Sequence, residues 1–272
     1  MYKNIYDSHT HSLNSHDGEA KVSDMCLYAI ENGIKGFALS DHCEVDLYDD
    51  PQIRSWVQSS FDDMEKAKEE FGDRLVLSSS IELGQPLFNI ETSTQIVSKN
   101  NYDFILGSMH SVCGMSDFCM YNYKEWTMDE IYKQLDKYYC EMLEVIKWGK
   151  FDSFAHITYP LRYIEGIHGV KVDIKKFDDI IDTILKTLAT SGKAIEMNTS
   201  GLRQQLKKPM PTIDYIEKYK SYGGEMVTLG SDAHRCTDMA KDFDTAFEML
   251  KSIGFTHYAF FNKRKPIMNE IK

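Results

Sequence analysis

Short apolar runs alternate along this chain with longer stretches that have a helical pattern. The apolar runs, many of them rich in β-branched residues, predict strands at residues 4–9, 36–41, 75–82, 103–109, 152–156, 193–198, 226–231 and 256–261. The longer stretches predict helices at residues 23–33, 52–71, 127–148, 173–191, 212–222 and 237–253. Strands that alternate with helices form parallel sheets. Seven or eight such units in 272 residues therefore predict a closed α/β barrel.

Local signals mark the ends of some predicted helices. Thr127 and Glu130 have the spacing of a capping box, and Gly149 follows the end of the same helix. Asn32 and Gly33 are typical of a helix C-terminus. No Gly/Ser-rich linker divides the chain, so we expect a single domain over residues 1–272.

Seven short segments carry histidine or acidic residues where a predicted strand ends. They are Asp7-Ser8-His9-Thr10-His11, Ser40-Asp41-His42, Ile81-Glu82-Leu83-Gly84, Ser108-Met109-His110, Phe154-Ala155-His156, Glu196-Met197-Asn198 and Ser231-Asp232-Ala233-His234. In a parallel barrel the carboxyl ends of all strands meet at one face, where active sites are built. The sequence therefore predicts a site as well as a fold.

The spacing of these residues is suited to metal ligation. His9 and His11 are two residues apart, and residues i and i+2 of a strand point to the same face. Asp232 and His234 repeat that spacing, and six of the nine histidines stand at or just beyond strand ends. One such pair also occurs by chance or among surface histidines, so the prediction depends on the whole set.

Composition narrows the classes to which the chain can belong. A formal net charge of −11 disfavours nucleic-acid binding, which requires basic patches. No apolar run reaches the roughly 18 residues that indicate a membrane span, and no export signal is evident, so we expect a cytoplasmic protein. The six cysteines contain no Cys-x-x-Cys pair and are expected to be reduced. A small anionic substrate stays compatible with this charge, because bound divalent cations reverse the local field.

The candidate ligands favour a cluster of metal ions. Imidazole with carboxylate suits zinc, iron or manganese. Eight or nine ligands are too many for one ion, so several ions that share a carboxylate fit better. Glu82 is the natural bridging ligand because its carboxylate has two oxygens. Clustered metals lower the pKa of a bound water and hold the oxygens of a phosphoryl transfer.

Together these motifs resemble the polymerase and histidinol phosphatase (PHP) family over nearly the whole chain. The resemblance runs through the segments that contain His9, His11, His42, Glu82, His110, His156, Asp232 and His234. It is strongest for the histidinol-phosphate phosphatase branch, through Arg162 and Arg203. The resemblance implies a distorted (β/α)7, TIM-like barrel with a trinuclear metal site at the carboxyl ends of its strands.

The resemblance also implies a ligand set for each ion. The first ion would be bound by His9, His11, Glu82 and Asp232, the second by Glu82, His110 and His156, and the third by Asp17, His42 and His234. The family often has a histidine where this chain has Asp17; we favour Asp17 for the third position because its spacing matches and a carboxylate can serve as the ligand, with the adjacent His16 as the alternative. If neither Asp17 nor His16 binds metal, the centre would be binuclear. We therefore expect two or three divalent ions, with zinc first and iron or manganese as alternatives.

Four further residues are predicted to bind the substrate. Arg162 and Arg203 lie shortly after predicted strand ends, and guanidinium groups form paired, charge-assisted bonds to phosphate. Asn198 and Ser200 could assist by hydrogen bonding. A structural role is the alternative for each arginine. The long segment 112–126 is either a substrate loop or an excursion packed on the barrel.

The resemblance implies hydrolysis of a small phosphomonoester, with L-histidinol phosphate of histidine biosynthesis as the leading substrate. The catalytic candidates are Glu82, Asp232 and His234, of which Asp232 or His234 would move protons. One alternative is a PHP phosphoesterase that acts on a nucleotide, a phosphodiester or a phosphotyrosine protein. Others are a metal-dependent amidohydrolase, which also begins with His-x-His, and a non-catalytic metal-binding protein. The sequence indicates no oligomeric state.

Overall fold

Residues 4–272 are described by the structure, a computed structural model, and residues 1–3 of the predicted domain lie outside the described residues. The strands are β1 Ile5–Thr10, β2 Ile34–Leu39, β3 His42–Glu44, β4 Val76–Gly84, β5 Phe104–Ser108, β6 Ser153–Phe154, β7 Ala194–Asn198, β8 Val227–Gly230, β9 His257–Asn262 and β10 Lys265–Glu270. The α-helices are α1 Val22–Glu31, α2 Pro51–Phe71, α3 Ile90–Lys99, α4 Met128–Trp148, α5 Asp178–Thr190, α6 Ser200–Arg203, α7 Ile213–Ser221 and α8 Phe243–Ser252. Each predicted strand corresponds to an observed one.

Seven parallel strands form the barrel. Their order is β1-β2-β4-β5-β6-β7-β8, and each neighbouring pair is parallel. The ring closes at its carboxyl end, where Thr10 and Ala233 form a parallel bridge and the His11 amide donates to the Ala233 carbonyl at 2.8 Å. The predicted barrel fold is confirmed.

The sequence did not predict the short strand β3, which continues β2 after a break at Ser40 and Asp41. The strand β4 is long enough to pair with both: its first half pairs with β2, and its second half pairs with β3. In this register His42 lies directly opposite Glu82. The break therefore brings a second candidate ligand beside the bridging carboxylate.

Aromatic side chains from β9 fill the amino-terminal end of the barrel. Phe260 packs against Tyr6 and Phe261 against Phe104, with ring centroids 5.1 and 5.3 Å apart. The strand β9 joins β8 through the single pair Thr228–Ala259 and carries β10 as an antiparallel edge strand. The amino-terminal end of the barrel is therefore filled by apolar side chains, and the polar interior lies at the carboxyl end.

The helices follow the predicted boundaries, apart from the starts of α5 and α8 and the unpredicted helices α3 and α6. The capping box of Thr127 and Glu130 is confirmed, and Gly149 ends α4 at a φ of 67°. The predicted helix 237–253 begins instead as α8 at Phe243, because Ala240 and Asp242 adopt left-handed φ values of 54° and 63°. The helix α3 was not predicted. No helix within residues 4–272 is long and apolar enough to cross a membrane.

Candidate metal centre

The predicted metal ligands converge at the carboxyl end of the barrel. Those that line a cleft of about 470 Å³ are Asp17, His42, Glu82, His110, His156, Asp232 and His234. His9 and His11 lie beneath them and are fully buried. A cleft of this size suits a small-molecule ligand.

Four side chains face one another at the first predicted metal position. Neighbouring ligand atoms lie 3.3 to 3.9 Å apart, and these atoms are His9 Nε2, His11 Nε2, Glu82 Oε2 and Asp232 Oδ1. Four ligand atoms at about 2.1 Å from a tetrahedral zinc ion lie about 3.4 Å from one another. The geometry therefore fits one such ion.

The second position has three facing atoms. Glu82 Oε1 lies 3.1 Å from His110 Nε2 and 2.9 Å from His156 Nε2, and the two nitrogens are 3.4 Å apart. These three distances also match the spacing between ligand atoms in a tetrahedral zinc site, and these side chains would supply three of its four ligands. Glu82 turns one oxygen to each position, as expected of a bridging carboxylate.

At the third position Asp17 lies between the other two predicted ligands. Its Oδ2 is 3.0 Å from His234 Nε2, and its Oδ1 is 3.7 Å from His42 Nε2. His16 lies on the rim with 63% of its side chain exposed, and its Nε2 is 3.8 Å from Asp17 Oδ2. His42 also directs Nδ1 toward Glu82 Oε2 at 2.9 Å. Asp17 is thus better placed than His16 to join His42 and His234.

Several inward-facing atoms are buried without a hydrogen-bond partner. Within residues 4–272 these include His9 Nε2, His11 Nε2, Glu82 Oε2 and His234 Nε2. Buried polar atoms in folded proteins are normally satisfied. Four unsatisfied ligand atoms that face common centres therefore fit a metal site.

Charge coupling among these groups is strong. Burial alone would raise the pKa of Glu82, but His9, His110 and His42 hold it well below its usual value. Burial would lower the pKa of His42, but Glu82 and Glu44 raise it to about 10. Burial and the neighbouring His234 and His42 lower the pKa of His11 well below its usual value. Without metal, protons on some imidazoles balance the carboxylates, and metal ions would displace those protons.

Two carboxylates that the sequence analysis left without a role hold the ligands from outside. Glu196 Oε1 accepts from His9 Nδ1 at 2.6 Å, and Glu44 Oε1 accepts from His110 Nδ1 at 2.9 Å. Because an ionised carboxylate only accepts, each bond fixes Nδ1–H and leaves Nε2 for the metal. Their positions two residues from Asn198 and His42 were a signal for both, since alternate strand residues share a face.

Serine hydrogen bonds and unusual backbone angles occur beside the predicted ligands. Asp41 accepts hydrogen bonds from the Ser12, Ser15 and Ser60 hydroxyls at 2.6 to 2.9 Å. His156 and Asp232 have left-handed φ values of 26° and 53°. Such backbone conformations are uncommon outside glycine and cluster at functional sites.

Arg162 is the predicted substrate residue that reaches the cleft. It begins a π-helical segment, Arg162–Ile167, and lines the cleft with Tyr159. Its Nη2 donates to Asp232 Oδ2 at 2.8 Å and to Ser200 Oγ at 2.5 Å. Burial would lower the pKa of the Arg162 guanidinium, but the neighbouring Asp232 carboxylate raises it above its usual value. Asp232 thus offers one oxygen to the first metal position and the other to Arg162.

The other three predicted substrate residues are not among those that line the cleft. Arg203 Nη2 donates to the carbonyls of Ser231 and Asp232 at 2.7 and 3.1 Å. Asn198 is fully buried, and its Oδ1 accepts from the Ser200 hydroxyl at 2.6 Å. In the structure these residues support the Asp232 segment, and their contact with substrate stays a prediction.

The segment 112–126 forms part of the cleft wall. Met115, Ser116 and Asp117 line the cleft, and the Tyr159 hydroxyl donates to Asp117 Oδ1 at 3.1 Å. Its two short 3₁₀ turns, Phe118–Met120 and Tyr123–Glu125, pack on the barrel. The placement agrees with both interpretations, so the role of the segment as a substrate loop stays a prediction.

The fold and the site define an α/β barrel with a multi-metal centre of imidazole and carboxylate ligands. The PHP domain model matches residues 7–200, and the chain belongs to the PHP family. The predicted family is thereby confirmed.

Relatives match over nearly their full length. The "Probable histidinol-phosphatase" of Thermotoga maritima is 29% identical, and the match covers 96% of this chain and 97% of the relative. The "Histidinol-phosphatase" of Lactococcus lactis is 25% identical, with 97% of each chain covered.

Two solved structures share the fold. Histidinol phosphate phosphatase from Lactococcus lactis, crystallised with zinc, L-histidinol and phosphate, has a TM-score of 0.79 at 22% identity, over 97% of this chain and 99% of that one. A Listeria monocytogenes protein has a TM-score of 0.74 at 16% identity, over 88% of this chain and 99% of that one. At these identities the likeness supports the fold alone.

Proposed function

We propose that this chain is a metal-dependent phosphatase that hydrolyses L-histidinol phosphate to L-histidinol and phosphate. The observation that carries the proposal is the convergence of histidine and acidic side chains about Glu82, with Arg162 beside them. The relatives from Thermotoga maritima and Lactococcus lactis are named for this activity. The Lactococcus lactis structure with zinc, L-histidinol and phosphate contains both products of the reaction.

The proposed metal ligands are those grouped by the geometry above. They are His9, His11, Glu82 and Asp232 for one ion, Glu82, His110 and His156 for a second, and Asp17, His42 and His234 for a third. Zinc is the first choice because the donors are imidazole and carboxylate at tetrahedral edge distances. Bound divalent ions would activate a water and offset the charge of the phosphoryl oxygens.

The chain's own residues would orient the phosphate and move protons. Arg162 is partly buried beside the first metal position, and its planar fork of N–H donors suits phosphate. The Nε of Arg162 is buried without a hydrogen-bond partner within residues 4–272, so one donor of this guanidinium is unused by the protein. His234 lines the cleft and is partly exposed, so it can exchange protons with solvent. We assign proton transfer to Asp232 or His234.

The roles of Arg203, Asn198 and Ser200 are indirect in this proposal. Arg203 holds the two carbonyls that precede and follow the Asp232 amide, and Ser200 connects Asn198 to Asp232. Arg203 Nη1 is buried without a hydrogen-bond partner within residues 4–272, and Arg203 is not among the residues that line the cleft.

A substrate panel tests the proposal. Zinc-loaded protein is assayed for phosphate release from L-histidinol phosphate, a nucleotide, p-nitrophenyl phosphate, a phosphodiester and a phosphotyrosine peptide. We expect the highest kcat/KM for L-histidinol phosphate. Arg162→Lys should lower it, whereas Arg235→Lys, at an exposed arginine paired with Glu19, should not. Preference for another ester would overturn the substrate and leave phosphoester hydrolysis in place.

We also propose a cytoplasmic location without a nucleic-acid partner. The six cysteines contain no Cys-x-x-Cys pair, a pattern that favours reduced thiols and a reducing compartment. The net charge of −11 opposes association with nucleic acid. A filter-binding assay with DNA and RNA at low salt should show no retention above that of a comparably acidic control protein.

A further inference from the structure

Glu196 is a fully buried carboxylate in the middle of β7, below the metal centre. Its two oxygens contact ligands of two different metal positions. Oε1 accepts from the ring Nδ1 of His9 at 2.6 Å, and Oε2 accepts from the backbone amide of His156 at 3.0 Å. His9 belongs to the first position and His156 to the second.

We infer that Glu196 is a positioning residue that holds both metal positions in place through His9 and His156. The inference rests on the proposed metal centre. On the His9 side, the Nδ1–H bond fixes the tautomer and ring orientation, so that Nε2 faces Glu82 and Asp232. Without that acceptor the ring could rotate or change tautomer, and the first position would lose a ligand.

On the His156 side, Glu196 stabilises a strained backbone. His156 has a φ of 26°, a positive value that is uncommon outside glycine. The amide of that residue points to Glu196 Oε2, so the carboxylate stabilises the conformation that aims His156 Nε2 at Glu82 Oε1, 2.9 Å away. A relaxed backbone would turn the ring from the second position.

The packing around Glu196 is specific for this arrangement. A Cβ on Gly230 of β8 would lie 2.1 Å from Glu196 Oε1 and 2.6 Å from the Cβ of His9. The glycine therefore provides the space in which Glu196 and His9 meet. Asn198 Nδ2 donates to Glu196 Oε2 at 3.2 Å and completes its contacts.

The test is the zinc affinity of Glu196→Gln, measured by competition with a chromophoric chelator. Glutamine has one acceptor oxygen, so it can serve His9 or the His156 amide but not both. We expect zinc affinity to fall about 10- to 100-fold, as is common when an outer partner of a ligand is lost. The visible spectrum of the cobalt-substituted variant should change, because the ligand geometry changes.

Asp152→Asn is the matched control. Asp152 is a buried carboxylate just before β6, at the amino-terminal end of that strand, and accepts from the Ile105 amide at 2.8 Å and from Arg264, away from the predicted ligands. The control should lower the thermal stability of the metal-free protein and leave the zinc affinity of the folded protein within about threefold of wild type. The same result for Glu196→Gln, with an unchanged cobalt spectrum, would overturn the inference. Because neither measurement uses a phosphate ester, a wrong substrate assignment would not affect the outcome.

Discussion

Replacing Glu82 by glutamine should destabilise the metal-free protein strongly. The carboxylate is fully buried and lies within 3.3 Å of four ring nitrogens, those of His9, His42, His110 and His156. Glutamine keeps the size of the side chain but removes the charge that offsets the protonated imidazoles. The variant therefore leaves buried positive charge without its partner.

The expected cost follows from the burial. Removing one partner of a buried ion pair costs about 3–5 kcal/mol. At about 2–4 °C per kcal/mol for a chain of this size class, the melting temperature should fall by about 6–20 °C. By contrast, Glu144→Gln breaks an exposed pair with Lys147 and should cost about 1 kcal/mol or less.

The loss should depend on pH in a defined direction. The pKa of Glu82 is held well below 4.5, so its contribution is present above about pH 4.5 and fades as pH falls toward the lowered value. Burial would lower the pKa of His9, but Glu196 and Glu82 raise it well above 6.5. The contribution of protonated His9 to stability is therefore complete below about pH 6.5 and fades as pH rises further. The destabilisation should therefore be largest between about pH 4.5 and 6.5.

Thermal unfolding in excess EDTA, followed by circular dichroism at pH 5.5 and pH 8, provides the measurement. Wild type, Glu82→Gln and the Glu144→Gln control are compared at the same ionic strength. A Glu82→Gln melting temperature at pH 5.5 within about 3 °C of wild type, which is about 1 kcal/mol, would refute the proposed charge coupling.

Three further predictions concern the loaded protein. Arg162→Lys should lower kcat/KM for L-histidinol phosphate about 10²-fold, because lysine lacks the planar fork; steady-state phosphate release checks it, and an unchanged value would contradict it. Gly84→Ala would place a Cβ 2.0 Å from Glu44 Oε2 and displace that carboxylate from His110; zinc content after dialysis should fall, and wild-type content would contradict the contact. Burial would lower the pKa of His42, but Glu82 and Glu44 raise it to about 10, so zinc binding at pH 7 should release protons. Calorimetry of zinc binding in two buffers of different ionisation enthalpy should give different heats. Equal heats in the two buffers would contradict proton release.

The strands and most of the candidate ligands could be predicted from the sequence because both depend on local patterns. Apolar runs identify strands that are buried on both faces, and a polar residue that follows such a run marks the end of the strand. His110 and His156 follow β5 and β6 in this way. Barrel geometry then brings the strand ends together without further information.

The strand β3 could not be predicted because tertiary pairing determines it. Residues His42–Glu44 are only three residues long, and their extended conformation depends on the second half of β4. Local sequence reports no such partner. For the same reason the sequence did not indicate the role of Glu44, whose carboxylate accepts from His110 Nδ1.

Contacts between distant residues also explain the result for the arginines. Both follow strand ends, so the sequence placed Arg162 and Arg203 equally near the site. The structure separates them, because Arg162 reaches Asp232 Oδ2, whereas Arg203 bonds to carbonyls of the same segment. That difference depends on side-chain direction in three dimensions, which strand spacing does not specify.

Hydrolysis of L-histidinol phosphate by this chain should require the metal ions that Glu82 and the histidines around it would hold, and a zinc titration of the metal-free protein provides the test. Phosphate release from L-histidinol phosphate is measured at each added equivalent of zinc. We expect no turnover in excess chelator, and a rate that rises with zinc and reaches its plateau after two or three equivalents per chain. Turnover that is equally fast in chelator, or no turnover at any zinc content, would contradict it.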